Sequence, residues 1–284
     1  MGRRQFLTAL AGLSALAATP SMLGECSFTP RKGRLKQAVC GGVFSGLKLD
    51  IEGMCRETAK LGLYGIDLVG PSAFPTLKQH GLIPTMVPGG SGIQWGINDK
   101  KNHAAIEVKL REAIEAAAAA GAPNVIVLAG DRKGLTDEEG LDNSAQFLSK
   151  VKGLAEEKGV TLCMELLNSK VDHRGYMCDH TSWGVKLCKA VNSPRVKLLY
   201  DIYHMQIMEG DIIRTIRDNI QYIGHFHTAG NPGRHEFDET QEMNYGPICR
   251  AIADTGYQGY LSHEYSPTRD PLGTLEKMVK ICEV

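Results

Sequence analysis

Glu165, Asp201, His227 and Glu264 are the residues of this chain whose types and placement could do chemistry. Each lies late in a short apolar, β-branched run: TLCMELLN, VKLLYDIYH, IGHFHTAG and GYLSHEYSP. Three carboxylates and an imidazole, with no thiolate, make a mixed oxygen–nitrogen donor set. Such a set suits Mn²⁺, Mg²⁺, Co²⁺ or Zn²⁺ better than soft copper. Singly, each carboxylate could as well be a helix cap or a partner for Arg or Lys. Jointly they read as a divalent-metal site, because a ring of three acids is costly to assemble without a cation. A cation there would polarise a substrate carbonyl and stabilise an enediolate. Glu165 and Glu264 could then move a proton, one removing it and the other returning it elsewhere. That is the chemistry of an isomerase or epimerase of small hydroxycarbonyl compounds.

These residues need elements to carry them. Eight apolar, β-branched runs, at 38–44, 64–70, 82–90, 124–130, 161–168, 196–204, 223–230 and 259–267, alternate with helical segments. The clearest helices are 104–121 and 137–159, stopped by Gly121 and Gly159, with Asp137 and Asp211 where N-caps are wanted. Eight strand–helix units predict an α/β fold, a (β/α)₈ TIM barrel in one domain over residues 35–284. A doubly wound sheet is the alternative, but GGVFSGL lacks the GxGxxG spacing of its phosphate loop. In a barrel the active site gathers at the C-terminal strand ends, where all four residues lie. Alternation then requires Thr161, Cys163 and Glu165 to point inward together, as must His225 with His227 and Ser262 with Glu264. His225 reads as a core histidine donating to a backbone carbonyl. His204, three residues after Asp201, reaches the site only if the chain has already turned out of the strand.

Composition narrows the rest. Lys and Arg balance Asp and Glu at 32 each, so bulk charge suggests neither a nucleic-acid nor a membrane-surface partner. The eight cysteines contain no CxxC and no regular spacing, and Cys40, Cys163 and Cys188 read as small buried thiols. Arg3 and Arg4 precede the apolar run TALAGLSALAA, which reads as a twin-arginine export signal too short to span a bilayer. Residues 1–34 are therefore expected to be signal and linker, with export to the periplasm. Ala15-Leu16-Ala17 offers a cleavage site, whereas Glu25 spoils a lipobox at Cys26.

The segments MELLNSKVDHRGYMCDH, YDIYHMQIMEGD, HFHTAGNPGRHEFDETQEMNY and HEYSP resemble the hydroxypyruvate isomerase family, within the xylose-isomerase-like barrels that include the ketose 3-epimerases. The resemblance implies that Glu165, Asp201, His227 and Glu264 are divalent-metal ligands, with Glu165 and Glu264 also the acid/base pair. It implies that His204 and Arg234 bind oxygens of a small hydroxycarbonyl or sugar substrate. GNPGRHE and EMNY lean toward the hydroxypyruvate branch. His227 leans toward the epimerases, since some hydroxypyruvate isomerases have Gln there. The export signal departs from the cytoplasmic habit of both. Other readings are a ketose 3-epimerase, a phosphodiesterase on the same barrel, which would need further ligands and a basic groove, and an exported binding protein without catalysis. A homo-oligomer is left open. The loop 91–103 with Trp95 is either a lid or an ordinary surface loop, and Lys170, Asp172 and His173 follow the Glu165 strand closely enough to touch substrate.

Overall fold

The computed structural model describes residues 28–284, so the expected export signal and Cys26 lie outside the described residues. The strands are β1 Lys36–Cys40, β2 Gly65–Asp67, β3 Ile83–Pro84, β4 Val87–Pro88, β5 Asn124–Val127, β6 Thr161–Glu165, β7 Val196–Asp201, β8 Ile223–Thr228 and β9 Tyr260–His263. All pair in parallel, in the order β3-β2-β1-β9-β8-β7-β6-β5-β4. The expected run 82–90 is thus two short pieces, one pairing with β2 and the other with β5. Pro84 and Pro88 lack the N–H a continuous ladder needs, so the run breaks where it must serve two neighbours. Met86 between them still accepts from Leu68 N at 2.8 Å, which joins the two ends of the sheet. The nine segments thus fill the eight positions of a barrel, and the doubly wound alternative does not apply.

Helices α1 Ile51–Lys60, α2 Phe74–Gln79, α3 His103–Ala120, α4 Asp137–Lys158, α5 Thr181–Val191, α6 Ile202–Met208, α7 Ile212–Asn219, α8 Tyr245–Asp254 and α9 Pro271–Cys282 accompany the strands. Their apolar faces and the outward strand faces form the main core. A separate buried cluster of Met86, Ile126, Cys163 and Leu199 fills the barrel interior, as the alternation through Cys163 requires. Cys40, Cys163 and Cys188 are buried free thiols.

α3 and α4 stop at Gly121 and Gly159, both left-handed with φ of 70°. Of the two expected aspartate caps, Asp137 is corrected, while Asp211 stands at the N-cap of α7 without a capping bond. Thr136 caps α4 in a capping box with Glu139, and Asp137 is the first helical residue, paired with Arg132 at 2.8 Å. Asp211 sits at φ 45° and makes no cap bond; its carboxylate turns to Arg214 at 2.9 Å instead. Among the described residues no helix is long and apolar enough to cross a membrane.

Candidate metal and proton-transfer site

The four strands β6 to β9 are neighbours in the barrel, and their ends place Glu165, Asp201, His227 and Glu264 around one point. One donor atom from each lies within 4.8 Å of the others. Asp201 ends β7 opposite His227 on β8, and Glu264 follows β9 directly, its N–H bonded to Thr228 O at 3.0 Å. Glu165, Asp201 and His227 are buried, while the Glu264 side chain keeps 26% exposure, so the site opens on its side.

The chain turns into α6 immediately after Asp201. One Asp201 oxygen caps that helix, accepting from His204 N at 3.2 Å, and the other faces Arg234 Nη2 at 2.9 Å. Capping and cluster roles therefore coexist in one carboxylate. The same turn brings His204 to the site despite its three-residue offset. Asn168 Oδ1 accepts from the backbone N–H groups of Val171 and Asp172, which fixes its amide. Its Nδ2 then points at His204 Nδ1 at 2.7 Å. Burial also pushes His204 down to about 4, which keeps it neutral. Arg234 Nη1 lies 2.6 Å from His204 Nε2, so two donors, Asn168 Nδ2 and Arg234 Nη1, face the two nitrogens of a ring that has one acceptor when neutral.

Arg234 stands on the loop after β8 with φ of 57°, unusual for a residue with a side chain, and it is held by its partners. Nη2 reaches both Asp201 and Glu264, the latter at 2.7 Å, and the guanidinium lies 5.0 Å from the Tyr203 ring centre. Burial opposes the Arg234 charge, but Asp201, Glu264 and Glu165 outweigh it.

The carboxylates divide. Burial pushes Glu165 up to about 7, with Glu264 and Asp201 adding to the shift and His227 opposing it. Burial also acts on Glu264, but His227 and Arg234 overcome it and hold that carboxyl well below its usual range. For His227 burial disfavours the charge, and Cys40, Glu264 and Asp67 outweigh it. Burial keeps the Cys40 thiol protonated, so the carboxylates carry that effect. Glu165 is thus the carboxyl of the cluster that holds a proton most readily, and a cation would displace it. The residues fit a divalent ion. His227 Nδ1 is buried 2.7 Å from Glu264 Oε2 and 3.7 Å from Glu165 Oε1, yet makes no directed hydrogen bond. A buried, unpaired ring nitrogen among three carboxylates is what a metal ligand leaves.

Asp67, at the end of β2, was not singled out in the sequence. It is fully buried below the cluster, where Oδ2 accepts from His225 Nε2 at 2.7 Å and His227 Nε2 at 3.0 Å. Burial would raise Asp67, but the two imidazoles hold it far below its usual range. His225 therefore donates to a carboxylate and not to the backbone carbonyl expected of it. A charged residue in the middle of the apolar run YGIDLVG was the available signal. Of the loop residues, Asp172 accepts from Asn168 and Tyr203, and the His173 ring lies 5.3 Å from that of His204. Lys170 instead donates to the carbonyls of Ile207 and Met208 near the end of α6. Trp95 is 42% exposed and packs beside Lys109 of α3, so its ring lies on an outer helix.

The profile of the xylose isomerase-like TIM barrel family matches residues 75–281. The chain belongs to this family. A 2-oxo-tetronate isomerase of Cupriavidus necator is 37% identical over 40% of the chain and 43% of its own length. The hydroxypyruvate isomerase of Escherichia coli K12 is 31% identical over 55% of the chain and 60% of its own length. The chain thus matches less than two thirds of either relative. The crystal structure of a family 2 AP endonuclease from Brucella melitensis superposes with a TM-score of 0.77 over 85% of this chain and 97% of that one, at 24% identity. That likeness concerns the xylose isomerase-like fold.

Proposed function

We propose that the protein is a metal-dependent isomerase of a small hydroxycarbonyl acid, of the kind that converts hydroxypyruvate to tartronate semialdehyde. The observation that carries this is the convergence of Glu165, Asp201, His227 and Glu264 donor atoms within 4.8 Å. A divalent cation held by these four would polarise the substrate carbonyl and stabilise negative charge on its oxygens. Glu165 on β6 and Glu264 after β9 stand three strand positions apart, and so face a small substrate from different sides. One carboxylate removes the proton from the hydroxyl-bearing carbon and the other returns a proton to the neighbouring carbon, while the hydroxyl proton passes to the former carbonyl oxygen. His204 and Arg234, whose Nε2 and Nη1 lie together at 2.6 Å beside the cluster, bind a substrate oxygen. A substrate carboxylate suits the Arg234 fork. The names of the two isomerase relatives, both acting on hydroxy-2-oxo acids, support the same class.

The test is proton exchange. With Mn²⁺ bound, hydroxypyruvate in heavy water should give tartronate semialdehyde carrying deuterium, and a chelator or Glu165→Gln should abolish it. Failure of hydroxypyruvate, 2-oxo-tetronate and free ketoses alike to exchange, with metal bound, would refute the enzyme reading and favour a binding protein. His227 favours a second reading, epimerisation of a free ketose, which predicts exchange at C3 of the sugar instead. Arg3 and Arg4 with the following apolar run support export, which cell fractionation of the full chain tests.

A further inference from the structure

Cys40, Asp67 and His227 form a second close group of potential ligands, directly beneath the first. Its hydrogen bonds assign it a different task. Asp67 Oδ1 accepts from the Thr85 hydroxyl, and Oδ2 accepts from both His225 Nε2 and His227 Nε2. Asn124 Nδ2 donates to Thr85 O at 3.0 Å and approaches His225 Nδ1 at 3.4 Å, which places the His225 proton on Nε2. The carboxylate thus receives three donors, and its Oδ2 is already shared by two imidazoles. All of these side chains are buried, and Asp67 reaches His225 and His227 across the barrel from a strand on its far side.

We infer that Asp67 is a positioning residue for the metal site: by accepting the His227 Nε2 proton it turns the Nδ1 lone pair toward Glu165, Asp201 and Glu264. This rests on the proposed metal-dependent reading. The ring nitrogens of His227 are distinct, and a metal-binding imidazole needs its other N–H anchored, which fixes orientation and raises donor strength. Asp67 supplies that anchor through a single carboxylate oxygen shared with His225, so both rings are held 5.2 Å apart and nearly perpendicular, at 85°. His227 Nδ1 accordingly faces Glu264 Oε2 at 2.7 Å and Glu165 Oε1 at 3.7 Å.

Asp67→Asn is nearly isosteric and tests this. Its oxygen still accepts from Thr85, so its NH₂ faces the two imidazoles and demands acceptors from them. His227 is then driven to carry its proton on Nδ1, the nitrogen the metal needs, as when an amide replaces the carboxylate partner of a catalytic histidine. Co²⁺ alone is the probe, its affinity measured by chelator competition in protein whose unfolding midpoint is recorded in parallel. The affinity should fall about 10- to 100-fold. The ¹⁵N spectrum of metal-free wild-type protein gives an independent reading: His227 Nε2 should carry an exchange-protected proton, lost in the variant. Co²⁺ affinity within twofold of wild type in a folded variant overturns the proposal. So does a His227 Nε2 without its proton in the wild-type protein, a result that stands even if the variant fails to fold. Absence of Co²⁺ binding in wild-type protein would instead defeat the metal-dependent reading, and with it this role.

Discussion

Replacing Tyr176 with Phe removes one oxygen from directly behind Glu165. The Tyr176 hydroxyl accepts from Ala129 N and donates to Glu165 O, both at 3.0 Å, and the ring is fully buried. It therefore ties the segment after β5 to the tip of β6, where the carboxylate begins. Tyr176→Phe keeps the ring and its packing, so no large cavity term enters. What is lost is a partner for two buried backbone groups, and Ala129 is itself inaccessible to solvent. An orphaned buried donor costs about 1–3 kcal/mol and the lost bond to the carbonyl about 1 kcal/mol, for a total of about 2–4 kcal/mol. At about 2–3 °C per kcal/mol for a barrel of this size, the melting temperature should drop by roughly 4–12 °C. The assay is urea unfolding of both proteins in chelator, which removes stabilisation by bound metal, with the slope unchanged and only the midpoint moved. A loss below about 0.5 kcal/mol at constant slope would refute the reasoning, because it would mean that water or a backbone shift satisfies both groups.

The protein should lose stability in mild acid through His263, which burial pushes down to about 3. Its ring nitrogens lie 2.9 Å from Thr228 Oγ1 and 2.9 Å from Gln37 Oε1, an arrangement suited to the neutral ring. The folded value lies below the unfolded value of about 6.5, so the unfolded chain binds more protons between them. The contribution is thus complete above about pH 6.5 and is lost as pH falls toward 3, by about 2 kcal/mol between pH 7 and 5. His263→Gln should flatten that part of the urea-derived stability profile, and an unchanged pH dependence would contradict the assignment. Gly65→Ala should break the barrel at its seam, since a Cβ there would lie 1.9 Å from the backbone oxygen of Ile83. No side-chain rotation relieves a backbone clash, so about 3 kcal/mol or more should be lost. An unaltered unfolding midpoint would show that β3 is free to move.

The residues by themselves determined the elements and much of the site. β-branched runs with helices between them set the barrel, because parallel strands buried on both faces must be apolar almost throughout. Gly121 and Gly159 marked helix ends because only glycine enters the left-handed cap without strain. Glu165, Asp201, His227 and Glu264 were legible because a charged group in an apolar run is costly unless it has a purpose. Boundaries were less legible. The run 196–204 hid the switch to helix at Ile202, and 82–90 hid its division between two neighbours, since both depend on which strand lies alongside. Tertiary structure alone decided the partners. Asp67 and His225 are 158 residues apart, and no local pattern announces that one carboxylate will hold two imidazoles across the barrel. Nor could spacing show that Asn168 reaches the His204 ring, or that Arg234 reaches both Asp201 and Glu264. Burial and hydrogen-bond direction are properties of the closed barrel, and they, more than residue type, determine which nitrogen of His227 faces the site.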